Sequence, residues 1–172
     1  MIVTVKNGFM RVVLLLMTAG VLAASLSAAS RLAPDVTLKT DSGDAVHLSD
    51  YRGQVVLVDF WASWCVPCKT SFPALDALYR EYHARGVEVL AVNLDERRRD
   101  ADLFLDEFPH TIAVLFDPKG TSAEAFGVRG MPSSFIIDAE GVIRFTHIGY
   151  TAEVAASYRR EIAQLLLAQH QP

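Results

Sequence analysis

Residues 54–69, QVVLVDFWASWCVPCK, pass from an apolar run into a closely spaced pair of cysteines. The run QVVLVDFWA is nearly continuous, as expected of a strand buried on both faces. From Cys65 to Arg85, the residues Phe72, Leu75, Leu78, Tyr79 and Tyr82 recur at helical spacing, and Gly86 ends the helix. The pair therefore stands where a buried strand gives way to a helix. In open α/β sheets, sites lie at that carboxyl end of the strands.

Cys65 and Cys68 are the only two cysteines in 172 residues, and three uses are open to them. A structural disulfide this short closes a tiny loop and stabilises little. A structural zinc site needs four ligands. No second CxxC is present, and His47, His83, His110, His147 and His170 are scattered without ligand spacing, so each reads as a surface or strand residue. The third use is electron transfer. A cysteine at a helix N-terminus has its thiolate stabilised by unpaired N–H groups and the helix dipole. Cys68, one turn on, stands close enough to resolve a mixed disulfide. Pro67 is tolerated in the first turn, where its missing N–H is not needed. Trp64 is expected to shelter one side of the sulfur and to offer an apolar contact surface. A CxxC opening a helix after a strand favours the redox use.

The compartment is read from the N-terminus. Lys6 and Arg11 are the only charges before Arg31, and VVLLLMTAGVLAASLSAAS between Arg11 and Arg31 grades from apolar into Ala and Ser. This pattern reads as a secretory signal over residues 1–29, cleaved after Ala29, with a retained membrane anchor as the alternative. Met10 offers a second start that leaves the signal intact, and no cysteine near the apolar segment points to a lipid anchor. Residues 30–172 then form one domain by length. Without Lys6 and Arg11, 14 basic residues face 20 acidic ones, a net charge of −6. That balance gives no electrostatic case for nucleic acid, and the run Arg97–Arg99 reads as a solvated helix start beside Asp95, Glu96 and Asp100. Export would place the cysteines where disulfides persist.

Along the rest of the chain, two short strands flank a turn at Asp41–Asp44, and VEVLAVNL is a second buried strand. RRDADLFLDEF reads as a helix with Leu103, Phe104 and Phe108 on one face, stopped by Pro109. TIAVLF reads as a further strand, with a turn at DPKG and a short helix through Phe126. SSFIID and VIRFTHI form a hairpin. A last helix from about Thr151 to Ala168 turns Val154, Tyr158, Ile162, Leu165 and Leu166 inward. The order is that of an α/β sandwich.

Three segments in order carry a family resemblance. VDFWASWCVPCK resembles the thioredoxin active-site segment, APDVTLKTDSGDAVHLSDYRG resembles an N-terminal hairpin leading into its strand, and GVRGMPSSFIIDAEGVI resembles the segment holding a cis-proline and the last hairpin. The chain is thus similar to the thioredoxin superfamily, and within it to the exported TlpA/ResA-type thiol–disulfide oxidoreductases. The resemblance implies a thioredoxin-like fold, a central mixed sheet flanked by helices, with a strand and helix inserted between about residues 95 and 120. It implies Cys65 as the attacking cysteine, Cys68 as the resolving one and Pro132 as the cis-proline packed against their disulfide. Met131 would offer its backbone to an incoming polypeptide in strand-like pairing. Asp59 matches the family's buried acid. An acid inside VVLVDFW is costly unless neutral or paired, so it implies proton handling for Cys68, with a hydrogen-bonded structural Asp as the alternative. Ala91 stands where a partner lysine is usual, which leaves Asp59 without a compensating cation and its pKa raised by desolvation.

The expected activity is dithiol–disulfide exchange on exported proteins, apocytochrome c among them, by a monomer in the periplasm. It needs no dissociable cofactor and no metal. Re-reduction by a membrane electron carrier of the DsbD/CcdA type is implied by the resemblance. The alternatives are a copper-handling protein of the Sco type, against which the two-residue spacing and Trp64 argue, and a peroxide-reducing relative on the same fold.

Overall fold

Every residue of Val55–Trp61 is buried in the computed structural model, which describes residues 31–169. Around that segment the chain forms β1 (Arg31–Leu32), β2 (Thr37–Lys39), β3 (Ala45–His47), β4 (Val55–Trp61), α1 (Val66–Tyr82) and β5 (Val87–Asn93). There follow α2 (Arg98–Glu107), β6 (Ala113–Phe116), α3 (Thr121–Phe126), β7 (Ser133–Ile137), β8 (Val142–Ile148) and α4 (Ala152–Gln169). The strands make one mixed sheet in the order β1-β8-β7-β4-β5-β6-β2-β3. β4 lies between β5, its parallel partner, and β7, its antiparallel one.

Strand alternation sends side chains of β4 to opposite faces, and each face has its own core. Val55, Leu57 and Trp61 pack with Cys68, Phe72, Leu75, Ile162 and other residues from the helices α1, α2 and α4. Val56, Val58 and Phe60 pack with Leu38 and Leu48 from the N-terminal hairpin side, Phe126 of α3 and Phe135 of the adjacent strand β7. Burial on both sides explains why the sequence here is apolar without a period of two. α1 carries Pro73 in its interior, which removes one backbone donor from the helix ladder without ending it. A 3-10 turn at His83–Arg85 prolongs α1, and Gly86 stops it at φ +85°, a conformation that costs glycine little.

Two features differ from the sequence reading. β1 was not anticipated. It pairs Arg31 and Leu32 antiparallel with Ile143 and Val142, a contact across the whole domain that two residues of local sequence do not announce. On α2, Leu103 is 60% exposed, whereas Phe104 is buried. The helix packs through Ala101, Phe104, Leu105 and Phe108, a stripe spaced i, i+3, i+4, i+7, and Leu103 falls about 100° away from Phe104. Phe104 stacks 4.5 Å from Trp61 and meets Phe72 edge-on at 5.2 Å. Phe104→Ala is therefore expected to destabilise the protein by about 3–5 kcal/mol, and Leu103→Ala to stay within about 0.5 kcal/mol. Urea unfolding of the two variants checks the contrast; equal losses would contradict this packing.

Candidate active site

The site is assembled where β4 ends. The Leu94 N–H donates to the Trp61 carbonyl (2.9 Å), and the Cys65 N–H donates back to Ala62 (3.1 Å), which turns the chain sharply into α1. Cys65 is the N-cap of that helix, with extended backbone, and the Cys68 N–H donates to its carbonyl (3.1 Å). The turn is fastened from the neighbouring strand. Asp95 accepts the Ser63 N–H and the Ser63 hydroxyl, each at 2.9 Å, and the Asn93 side-chain amide at 2.7 Å. Ser63 and Asp95 were not singled out from the sequence. The signal available was a polar NLD triplet closing an apolar strand, next to the site in a parallel pair.

Cys65 and Cys68 are joined in a disulfide, with Cα atoms 5.3 Å apart. Cys68 is fully buried, and Cys65 keeps 4% of its surface. Solvent and substrates therefore meet the Cys65 sulfur first. It opens on a groove of about 620 Å³ whose lining includes Trp64, Leu94, Val128, Arg129 and Met131. Trp64 is 69% exposed, so it forms an apolar wall beside the sulfur and does not cover it. The Met131–Pro132 peptide is cis, and Pro132 is buried at the head of β7. The Pro132 carbonyl accepts the Gly149 N–H at 2.8 Å. Met131 precedes the first register pair of that strand, Ser133 with Ile148, so its backbone lies at the groove and outside the ladder.

Asp59 lies mid-strand, its Cα registered between Ala91 on one side and Ser134 on the other. Alternation puts its side chain on the face of Leu57 and Trp61, which is the face that Cys68 packs against. The Ser134 hydroxyl donates to Asp59 Oδ1 at 2.5 Å, and Ser134 Oγ lies 2.6 Å from the Tyr158 hydroxyl. Asp59 Oδ2 has no hydrogen-bond partner among the described residues. Sequence reasoning found Asp59 but neither its partner Ser134 nor Tyr158 behind it. Ser134 is a polar residue in a buried strand, which is a usable signal, but 75 positions separate it from Asp59.

The histidines are dispersed: His47 bonds Thr37, His110 bonds the Phe108 carbonyl, and His147 bonds Glu161. Among the described residues no three His, Cys, Asp or Glu side chains are grouped to hold a metal ion. His170 and the signal or anchor read at residues 1–29 lie outside the described residues. Within them no helix is long and apolar enough to cross a membrane.

Comparison with known proteins matches residues 29–146 to the AhpC/TSA family. The chain belongs to that family. It is 39% identical over 120 residues to the thioredoxin-like protein YneN of Bacillus subtilis, covering 68% of this chain and 69% of that one. It is 37% identical to the thiol-disulfide oxidoreductase ResA of Geobacillus thermodenitrificans, over 65% of this chain and 64% of that protein. Among solved structures, one from Chlorobium tepidum, provisionally described as a thiol:disulfide interchange protein DsbE, superimposes with a TM-score of 0.77 at 42% identity. That match covers 80% of this chain and 96% of the other. The fold is thus thioredoxin-like, and with Cys65 and Cys68 paired at the helix start the chain is a thiol–disulfide oxidoreductase of the ResA/DsbE type.

Within this family member, the electrostatics of Asp59 follow from its surroundings. Complete burial disfavours the charged carboxylate and pushes its pKa from 3.8 up to about 7, and the single hydrogen bond from Ser134 offsets only part of that. The Tyr158 hydroxyl is pushed up as well, by burial first and then by the nearby Asp59 charge. An acid whose pKa is higher folded than unfolded binds protons more tightly in the native state, so stability falls as pH rises from about 4 to about 7 and is flat above. A rise of roughly three units corresponds to about 4 kcal/mol. Asp59→Asn, which leaves no charge to bury, should therefore be more stable than wild type by up to about 4 kcal/mol at pH 8 and close to equal at pH 4. Urea unfolding at the two pH values measures the difference; a gap that does not change with pH would refute the burial of an ionisable carboxyl.

Proposed function

We propose that the protein is an exported reductant of disulfides in other exported proteins. The observation that carries this reading is the asymmetry of the pair. Of the two cysteines only Cys65 keeps exposed surface, it lines an apolar groove of about 620 Å³, and Cys68 is fully buried. In the first step the Cys65 thiolate attacks a substrate disulfide, forming a mixed disulfide and releasing one substrate thiolate. In the second, Cys68 loses its proton and attacks Cys65, closing the intramolecular disulfide and releasing the second substrate thiolate. Trp64 and Met131 border the groove, and Pro132 keeps an N–H donor away from the sulfurs. Asp59 is the acceptor for the Cys68 proton.

Export is supported by the sequence pattern of residues 1–29. Return to the dithiol form requires an electron donor on the far side of the membrane, which a membrane carrier of the DsbD/CcdA type supplies. Apocytochrome c, whose haem-attachment cysteines must be reduced, is the candidate substrate, alongside other disulfide-bonded exported proteins. The reductant direction rests on Val66 and Pro67, which put no basic group between the cysteines to stabilise the thiolate.

The purified protein should drive dithiothreitol-dependent insulin reduction, and Cys65→Ser should abolish it; equal turnover of the two proteins would sink the reading. Cys68→Ser should trap envelope proteins on Cys65 as mixed disulfides that dithiothreitol releases. A set rich in haem-attachment polypeptides would favour apocytochrome c, and a broad set a general reductant. An empty gel with copper bound to the wild type would favour the copper-handling alternative. The Cys65–Cys68 couple should be more reducing than about −180 mV, the level of protein disulfide isomerase. A glutathione titration giving a value near the strong-oxidant level of about −120 mV would instead make the protein an oxidant.

A further inference from the structure

The reading of Asp59 as acceptor for the Cys68 proton leaves open what governs the acid itself. A carboxylate in a sheet interior commonly needs a cation, yet the Asp59 position faces Ala91 on β5, and no Lys or Arg is paired with Asp59 among the described residues. What touches it is the Ser134 hydroxyl, which is touched in turn by the Tyr158 hydroxyl, and both residues are buried. Ser134 has one proton, and the geometry gives it to Asp59 Oδ1; the Tyr158 hydroxyl, 2.6 Å from Ser134 Oγ, must then donate to Ser134. The chain is thus directed, Tyr158 to Ser134 to Asp59, each bond polarising the next. It occupies Oδ1 and leaves Oδ2 without a hydrogen-bond partner among the described residues.

We propose that Ser134 and Tyr158 are positioning residues that hold Asp59 by one oxygen, stabilise its charged form in place of a cation, and keep the other oxygen free to take the Cys68 proton. This rests on the role given to Asp59 above. In the step concerned, the Cys68 S–H proton passes to Asp59 Oδ2 and the resulting thiolate attacks Cys65. The bond between Cys65 and substrate breaks as the Cys65–Cys68 bond forms, and the substrate sulfur departs with the electron pair. A donor chain ending on Oδ1 favours the carboxylate before the transfer, so removing it lowers the fraction of Asp59 ready to accept.

Other ionisable groups face this cluster and are accounted for. On β8, His147 meets the Tyr158 ring edge-on at 5.2 Å and is bonded to Glu161 of α4 at 2.7 Å. Tyr150, before α4, lies 6.4 Å from the Tyr158 ring. Arg159 influences Tyr150 but is itself paired with Glu81 at 2.9 Å. From α1, Cys68 and Tyr82 share the core cluster that contains Tyr158, and Tyr79 packs against it. None of these hydrogen-bonds Asp59, so the hydroxyl chain is its one specific contact.

The test uses the reduced protein and Ellman's reagent, which releases thionitrobenzoate in two phases. The first is attack by Cys65, and the second is resolution by Cys68. A hydrogen bond to a charged group is worth enough to move a midpoint by about one pH unit, or tenfold in proton affinity. Ser134→Ala should move the midpoint of the second phase upward by about that amount, and Tyr158→Phe by less in the same direction, since Ser134 can still donate. Asp59→Asn should remove the pH dependence that the two variants displace. A carbon-13 titration of the Asp59 carboxyl in Tyr158→Phe reads the same displacement directly, should Ser134→Ala fail to fold. Folded variants with unmoved midpoints, beside an Asp59→Asn that still removes the dependence, would overturn the hydroxyl chain and leave the role of Asp59 standing. An Asp59→Asn second phase identical to wild type would overturn that role, and the chain with it.

Discussion

The strand Val55–Trp61 must be covered on both faces and paired on both edges, and the rest of the architecture follows from meeting that demand. β5 and β7 satisfy its backbone groups, α1, α2 and α4 cover one face, and α3 with the N-terminal hairpin covers the other. A strand so enclosed has only its ends open to solvent. The chain leaves its carboxyl end through the four residues Ala62–Cys65 and enters a helix, so the first helical residues, with their unpaired N–H groups, become the accessible surface. The disulfide occupies that place because nowhere else does the central strand meet both water and a helix start.

Three of the buried aspartates among the described residues show what distinguishes Asp59. Asp117 accepts five hydrogen bonds from Thr121, Ser122 and Ala123 at the start of α3, and its pKa is lowered despite burial, because so many donors favour the charge. Asp95 accepts three and holds the active-site turn to the adjacent strand. Asp59 accepts one, and its pKa goes the opposite way. The fold can evidently satisfy a buried carboxylate; at Asp59 it does so only in part. An under-satisfied acid that changes charge near neutrality costs stability, and Asp59 lies on the sheet face that carries Cys68.

At the surface the division is between an apolar rim and a hidden nucleophile. Trp64 and Val66 are largely exposed beside a sulfur that is almost buried. Exposed aromatic surface around a small reactive opening favours contact with polypeptide over small polar molecules. Cys68 is closed off from solvent by the same arrangement.

Much of the fold was legible because it is written in local patterns. The doubly buried strands show as unbroken apolar runs, α1 and α4 as helical spacing, and the cysteine pair as a motif at a strand–helix junction. The matching segments GMPSSF and VDFWASWC extended that reading to the cis-proline and the buried acid. What failed or was missing depends on contacts between distant segments. Leu103 and Phe104 are equally apolar, and only the placement of α2 against Trp61 chose between them. β1 exists because β8 offers it an edge. The sequence by itself determined the redox pair, its place at a helix start and an acid inside the central strand, because strand and helix periods are local properties of the chain. Only the tertiary structure decided that Asp95 holds Ser63 and that Ser134 and Tyr158 attend Asp59. Hydrogen bonds between side chains 24 to 75 positions apart exist only once sheet register and helix packing have brought those residues together.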